Sequence, residues 1–318
     1  MATIKLKLRA SSVQGTKDTK SVFTFMQEQV LKKETMMRQG SAMAYSNAYR
    51  RFKEFRRGVD LPFDELTAGM IEQYEAWLIN RRLKPNTIRF YLRTLKAIFG
   101  KAISEGLLSN KKLFSRVRLS FVSTAKRAIC EKELKAIERL SLPEGSAMAF
   151  ARDIFMFSFY MRGMPFVDIA YLRKTDLKNG TLSYCRKKTN QHLTIAWEKA
   201  QQQIVDRYAH LTEGSKYMFP IISKDDGTEY EQYRRVQENV NNNLKKIGKM
   251  IGLKMPLTAY VARHTWASIA RDMNISVAII SEGMGHRSYK TTQVYLSTID
   301  TSQVNDANRK IIRRISGR

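Results

Sequence analysis

Residues 257–299 read LTAYVARHTWASIARDMNISVAIISEGMGHRSYKTTQVYLSTI, and the spacing within this stretch decides how the C-terminal half folds. With Thr258 as a helix N-cap, the apolar positions Tyr260, Val261, Ala267, Ile269 and Ala270 recur with helical rather than alternating spacing, so Arg263 and His264 lie inside one helix. A second short helix is expected from Ser276, its cap, to Glu282. It ends at the corner Gly283-Met284-Gly285, which presents His286, and a third helix then carries Tyr295. One arginine, one histidine and one tyrosine can thereby converge on one point. A tyrosine oxygen can attack phosphorus, but its pKa of about 10 and the charge gathering on a phosphorane-like transition state call for fixed cations and hydrogen-bond donors. Arg263 offers a planar bidentate fork, and His286 a donor or a proton acceptor. The product, a phosphotyrosyl ester, keeps the bond energy of a phosphodiester, so rejoining needs no nucleotide cofactor.

Composition bounds the partner. The chain of 318 residues is 43% hydrophobic, with room for two domains and ample core. Its 56 Lys and Arg against 29 Asp and Glu give a net charge of +27, spread along the whole chain, which argues for a polyanion such as duplex DNA. A membrane surface would attract the same charge, but the most apolar run, Ala147 to Met161, holds Arg152 and Asp153 and is too short to span; it reads as a buried core helix. The stretch MATIKLKLRASS has no apolar region of the kind a secretion signal needs. Two cysteines, Cys130 and Cys185, without a CxxC pair, and only four histidines fit a reducing cytosol and argue against a structural zinc site; no metal and no cofactor are expected.

Residues 1–20 alternate loosely and form either a short strand or a basic arm. From Ser21 the period turns helical: Phe23, Met26 and Val30; then Tyr45, Tyr49 and Phe52, ending at Arg57-Gly58; then Ile71, Tyr74 and Leu78, capped by Thr67; then Ile88, Leu92, Leu95 and Phe99, opened by Pro85-Asn86-Thr87 and closed by Gly106. Residues 21–106 thus make a four-helix bundle. Arg50 and Arg51 on its second helix, and Arg89, Arg93 and Lys96 on its fourth, are candidate phosphate contacts; the plainer reading is a solvated charged face. Residues 107–127 are basic, lack a sustained period and read as a linker. The second domain, 128–318, opens with a helix through Leu134, Ile137 and Leu140 and a long core helix from Ser146 to Arg162. A short helix Phe166 to Leu172 follows, then two alternating strands, Thr181 to Arg186 and His192 to Ala196, joined by Lys187 to Gln191. Helices from Trp197 to His210 and from Tyr230 to Met250 come next, with Lys245 and Lys249 adding basic charge near the site. The class is mainly α with a small β-hairpin or sheet.

The series Arg263-His264-Thr265-Trp266-Ala267-Ser268, then Met284-Gly285-His286, then Thr291-Thr292-Gln293-Val294-Tyr295 resembles the signature of the tyrosine recombinases, also called the phage integrase family. The resemblance implies a helical, SAM-like core-binding domain ahead of a catalytic domain, a linker that crosses the DNA so that the two clamp the duplex, and cleavage through a 3′-phosphotyrosyl intermediate. It implies Tyr295 as nucleophile, Arg263 and His286 on the transferring phosphate, and a hairpin lysine as general acid, for which Lys188, in its Lys-Thr pair, matches better than Lys187. The family's first catalytic arginine should stand where this chain has Pro165, if Asp168 and Asp176 take the places of the family's Glu and Asp; Arg162 is the candidate replacement, or else merely ends its helix against the dipole. Where the family has a histidine three residues before its second arginine, this chain has Tyr260, a hydrogen-bond donor but a poor base. The expected assembly is a homotetramer on DNA, with accessory DNA-bending proteins as further candidate partners, in the cytoplasm and at the nucleoid. The string Arg162-Gly163-Met164-Pro165-Phe166-Val167-Asp168 resembles integrases of mobile elements and invertible loci in the Bacteroides group. Two rivals are a type IB topoisomerase and a DNA-binding regulator whose catalytic residues are relics.

Overall fold

The caps predicted at Thr67 and Ser276 can be followed into the computed structural model, which describes residues 20–109, 112–122, 127–286, 292 and 301–316, the last group without the side chains of 301–307. The expected arm at 1–20, apart from Lys20, lies outside these residues, and so does Tyr295 with the helix expected to carry it. The chain divides into two units, residues 1–124 and 125–318.

In the first unit Ser21 Oγ accepts from the Thr24 amide and opens α1, Val22–Thr35. Asp60 reinforces that corner, accepting from the Ser21 hydroxyl at 2.6 Å and from the Phe23 amide at 2.9 Å. The second helix, α2, covers Gln39–Phe55; α3, Ala68–Asn80, begins under a Thr67 cap on the Met70 amide; and α4, Pro85–Ser104, begins at a proline that has no N–H to leave orphaned. Their apolar stripes meet in a core built on aromatic rings. Phe52 sits edge-on to Tyr74 at 5.3 Å and to Phe99 at 6.1 Å, an arrangement the ring quadrupoles favour. The stretch read as a linker gives its first part to this core: Leu108, Leu113 and Val117 are buried in it. Period fails there because irregular chain can bury isolated apolar residues without repeating. Further along, the Asn86 amide donates to the Val122 carbonyl and accepts from its N–H, at 2.8 and 2.9 Å, and the Arg93 guanidinium lies 4.8 Å from the Phe121 ring.

The second unit is organised around α6, Ala147–Tyr160, whose Ser146 cap accepts from the Ala149 amide. It follows α5, Glu131–Arg139, and packs against α9, Glu229–Met250, and α10, Ala259–Asp272. Asp153 stands in the apolar run of α6 yet is almost fully buried, which is tolerable because Arg152, Arg207 and the Tyr208 hydroxyl all reach its carboxylate, at 2.9, 3.0 and 2.9 Å. The helix ends at Tyr160, short of the Arg162 expected from sequence, since Arg162 and Gly163 both adopt positive φ and turn the chain. After α7, Phe166–Ala170, the hairpin gains a third strand: β1, Leu177–Lys178, pairs with β2, Thr181–Cys185, which pairs with β3, His192–Ala196, all antiparallel. Two residues are too few to show a period, which hid β1 in the sequence. The helix α8 is confined to Lys199–Arg207, shorter than expected, and a 3₁₀ turn, Ala209–Thr212, follows it. Next to α10 lies α11, Val277–Gly283, capped by Ser276 on the Ile279 amide. A last helix spans Thr301–Ser316. Among the described residues no helix is long and apolar enough to cross a membrane.

Candidate active site

The Thr258 position starts α10 as expected, but its hydroxyl makes no capping bond; Asn241 Oδ1, from α9, accepts from the Ala259 amide at 2.9 Å instead. Within α10 the helical stripe turns Val261, Ala262 and Arg263 inward, and Arg263 is 3% exposed. Its guanidinium donates from Nη1 to the Gly163 carbonyl at 2.8 Å and from Nη2 to the Met284 carbonyl at 2.7 Å, and Nη2 is also 2.8 Å from His286 Nε2. Only glycine can stand at 163: a Cβ there would lie 2.6 Å from the Arg263 Cα, and φ is +72°. The turn after α6 and the turn after α11 are thus bound together by one arginine.

His286 lies at the end of the corner after α11, where its amide donates to the Ser281 carbonyl. Its other ring nitrogen, Nδ1, is 2.8 Å from Thr292 Oγ1, and Thr292 is fully buried. Burial, then the positive charges of Arg263 and Arg186, push the imidazole pKa down to about 4, so the ring is neutral near pH 7.

Arg186 is a buried guanidinium of this site that the sequence reading did not single out. It follows β2 directly and is only 7% exposed; it donates from Nη1 to the Gly285 carbonyl, and its Nε is 3.6 Å from Asp168 Oδ2. A Cβ on Gly285 would come within 3.0 Å of the Arg186 Cδ, so this second glycine carbonyl is reachable for the same steric reason as the first. Asp168, on α7, also accepts from the Lys187 amide at 2.9 Å, and burial raises its carboxyl pKa against the opposing pull of that amide and of Arg186 and Arg263. A signal was present: Leu182, Tyr184 and Arg186 alternate, so the strand that buries the first two turns the third inward. A charged residue at an inward register position is rarely idle.

The remaining candidates fall in several places. Arg162, with φ of +57°, is half-buried, and its Nη1 reaches the Thr194 carbonyl at 3.5 Å, a weak bond. Pro165 occupies the place where a guanidinium was sought; with Phe166, Tyr233, Asn241, Tyr260 and Arg263 it lines a cleft of about 270 Å³. Tyr260, counted in sequence among the apolar positions of α10, is 48% exposed on the cleft side, its ring edge-on to half-buried His264 at 4.9 Å. Lys188 is exposed in the turn between β2 and β3, whereas the Lys187 ammonium lies 4.0 Å from the Tyr171 ring, its pKa lowered by burial and then by Arg173. On α9, Lys245 Nζ donates to Asn242 Oδ1 and Lys249 is exposed. In the first unit Arg93 and Lys96 are exposed, Arg50 meets Asn47, Arg51 meets Glu54 at 2.7 Å, and Arg89 forms a largely buried ion pair with Glu75 at 2.6 Å.

Residues 21–117 match the phage integrase SAM-like domain, and residues 131–301 match the phage integrase family. Tyrosine recombinase XerC of Rickettsia bellii is 24% identical over 269 residues, covering 80% of this chain and 85% of that protein. Tyrosine recombinase XerA of Saccharolobus solfataricus is 22% identical over 269 residues, covering 80% and 81%. Among solved structures, the integrase of transposon Tn1549 in complex with transposon right end DNA superposes with a TM-score of 0.62 at 15% identity, over 93% of this chain and 99% of that one. A lambda integrase dimer bound to a core site gives 0.58 at 16% identity, over 88% and 80%. At these identities the structures speak to the fold.

Proposed function

The chain belongs to the phage integrase family and is a tyrosine site-specific recombinase, and from that premise we propose that it breaks and rejoins duplex DNA through Tyr295. The Tyr295 oxygen attacks the scissile phosphorus, forms a 3′-phosphotyrosyl ester and releases a 5′-hydroxyl; attack by a 5′-hydroxyl on that ester reverses the step, so the bond energy is conserved. Arg263 supplies the main cationic donor. The observation that carries this reading is its burial with both Nη atoms fixed by main-chain carbonyls and His286, since a donor held in place before reaction needs no reorganisation as charge develops. Arg186 supplies the second guanidinium, in place of the one missing at Pro165, because it shares the Gly285 corner with His286 and acts on that ring electrostatically. Arg162, three residues before Pro165, is the alternative for that place. Lys188 protonates the 5′-oxygen, and Tyr260 donates to a phosphate oxygen from the cleft side.

The first unit holds the duplex through Arg50, Arg51, Arg93 and Lys96, with Lys245 and Lys249 of the second; Arg89 contributes mainly to the fold. Four copies assemble on two duplexes, as lambda integrase does in its tetramer on a Holliday junction. The exposed Ile311, Ile312 and Ile315 of the last helix provide an apolar face for a neighbouring copy. The element served is of the Bacteroides mobile type, with accessory DNA-bending proteins, and the work is done in the cytoplasm on nucleoid DNA. The match of residues 21–117 to an integrase domain favours this reading over a type IB topoisomerase, and a second buried guanidinium weakens the case for a relic.

The test is incubation of wild type and Tyr295→Phe with a nicked suicide duplex carrying the element's ends, resolved on a denaturing gel. A covalent adduct lost in the variant is expected. No adduct from folded, DNA-bound wild type would leave a binding protein.

A further inference from the structure

Among the described residues of the first unit, three arginines lie on aromatic rings, and they differ in what else they hold. Arg51 is 5.8 Å from the Tyr91 ring and Arg81 is 4.3 Å from the Trp77 ring, but both also bind the Glu54 carboxylate, each at 2.7 Å. Arg93 is 4.8 Å from the Phe121 ring and meets no carboxylate or other hydrogen-bond acceptor among the described residues. A ring takes the flat face of a guanidinium, so the N–H groups around its edge stay unused and the positive charge stays in place. It also restrains a long exposed side chain, which would otherwise lose that freedom on meeting an anion. Arg93 thus combines an intact charge, unused donors and a restrained position.

The ring is itself held from two sides. Leu119 packs against the core of the first unit. At Val122 the Asn86 side chain imitates a backbone pairing, its amide donating to the carbonyl at 2.8 Å and its oxygen accepting from the N–H at 2.9 Å. Asn86 stands in the first turn of α4 and Arg93 two turns on, so one helix supplies both the anchor of residues 119–122 and the arginine they touch. Phe121, between the two anchors, is 55% exposed. Burial of its ring does not account for the anchoring; its contact with Arg93 does.

We propose that Phe121 is a positioning residue of the DNA interface, holding the Arg93 fork ready for a backbone phosphate, and that Asn86 sets the ring in place. This rests on the reading that the first unit holds the duplex through Arg93. The phosphate meets the edge of the guanidinium while the ring keeps its face, so charge-assisted hydrogen bonds form without breaking the stack. Lys96, exposed on the next turn of α4, has no such ring among the described residues and supplies the internal contrast.

The test is equilibrium binding of the full chain to a duplex carrying the element's ends, between about 50 and 200 mM salt. Arg93→Ala is expected to weaken binding and to lower the salt slope by about one. Phe121→Leu, apolar but without a ring face, should weaken binding by about threefold at unchanged slope, because the phosphate contact remains and only its preparation is lost. Phe121→Trp should restore it, and Asn86→Ala should match Phe121→Leu. In an Arg93→Ala background both Phe121→Leu and Asn86→Ala should have no effect, whereas in a Lys96→Ala background each should keep its full one. A loss in Phe121→Leu that persists without Arg93, or that lowers the slope, would overturn the proposal, as would wild-type affinity in Phe121→Leu or Asn86→Ala. If Arg93→Ala itself leaves affinity and slope unchanged, the reading of Arg93 as a phosphate contact fails and the positioning role with it.

Discussion

In the first unit Arg89 meets the Glu75 carboxylate at 2.6 Å, both side chains about 15% exposed; in the second, Arg263 is gripped by the carbonyls of Gly163 and Met284. Both are withdrawn from solvent, and both are well bonded. The difference is the charge of the acceptor. A carboxylate cancels the guanidinium's charge and makes the pair a structural strut, whereas a carbonyl orients the fork and leaves its charge in place. Arg186 stands between these cases, with the Gly285 carbonyl on one side and Asp168 at 3.6 Å on the other. Burial of an arginine therefore says little until its acceptor is identified; the carbonyl-held ones are those prepared to meet an anion.

The sharpest way to break this contrast is Arg263→Lys, which keeps the charge and loses the fork. Adduct formation on the suicide duplex should drop by about 10³-fold while the melting temperature changes by a few degrees at most. Next is a pair of variants: Arg186→Ala should lower cleavage by about 10²-fold and Arg162→Ala by less than about 10-fold. The reverse order would return the missing guanidinium to Arg162, and an equal loss in Arg89→Ala would dissolve the distinction between the two acceptors.

A smaller effect concerns pH. His286 has its folded pKa lowered to about 4 from an ordinary 6.5, so the unfolded chain binds the proton more readily. The contribution of the neutral ring is therefore whole above about pH 6.5 and is lost as pH falls through about 4. Allowing for solvent screening of a half-exposed ring, about 1–2 kcal/mol should disappear over that window. Denaturant melts at pH 7, 5.5 and 4.5 should show the loss in wild type, and a shallower one in His286→Gln. Smallest of all, Glu75→Gln should cost about 1 kcal/mol of stability, read by urea unfolding, with DNA affinity at fixed salt changing by less than about threefold. A large gain in affinity would mean that Arg89 is a phosphate contact held in check by Glu75.

Much of this was legible in the chain itself. The caps at Thr67 and Ser276 were read correctly because a cap is a local event, settled by a hydroxyl and an amide three residues on. Thr258 marked its helix start, but the bond came from Asn241, a residue of another helix, which no local rule supplies. The buried Leu113 and Val117 were hidden in a linker for the same reason, since irregular chain buries residues only where tertiary packing happens to cover them.

The sequence by itself determined the helical class, the helix that carries Arg263, the glycine corner before His286 and the excess of positive charge, because each depends on spacing within a few residues or on composition. Only the tertiary structure decided that Arg186 joins Arg263 around the Gly285 corner, that Pro165 lines a cleft, and that His286 lies between Arg263 and Thr292. Arg186 and Gly285 are bonded across 99 positions of chain, and Arg263 and Gly163 across 100. Contacts at that range follow from strand register and from how closely glycine lets two backbones approach, and neither leaves a period in the sequence to be read.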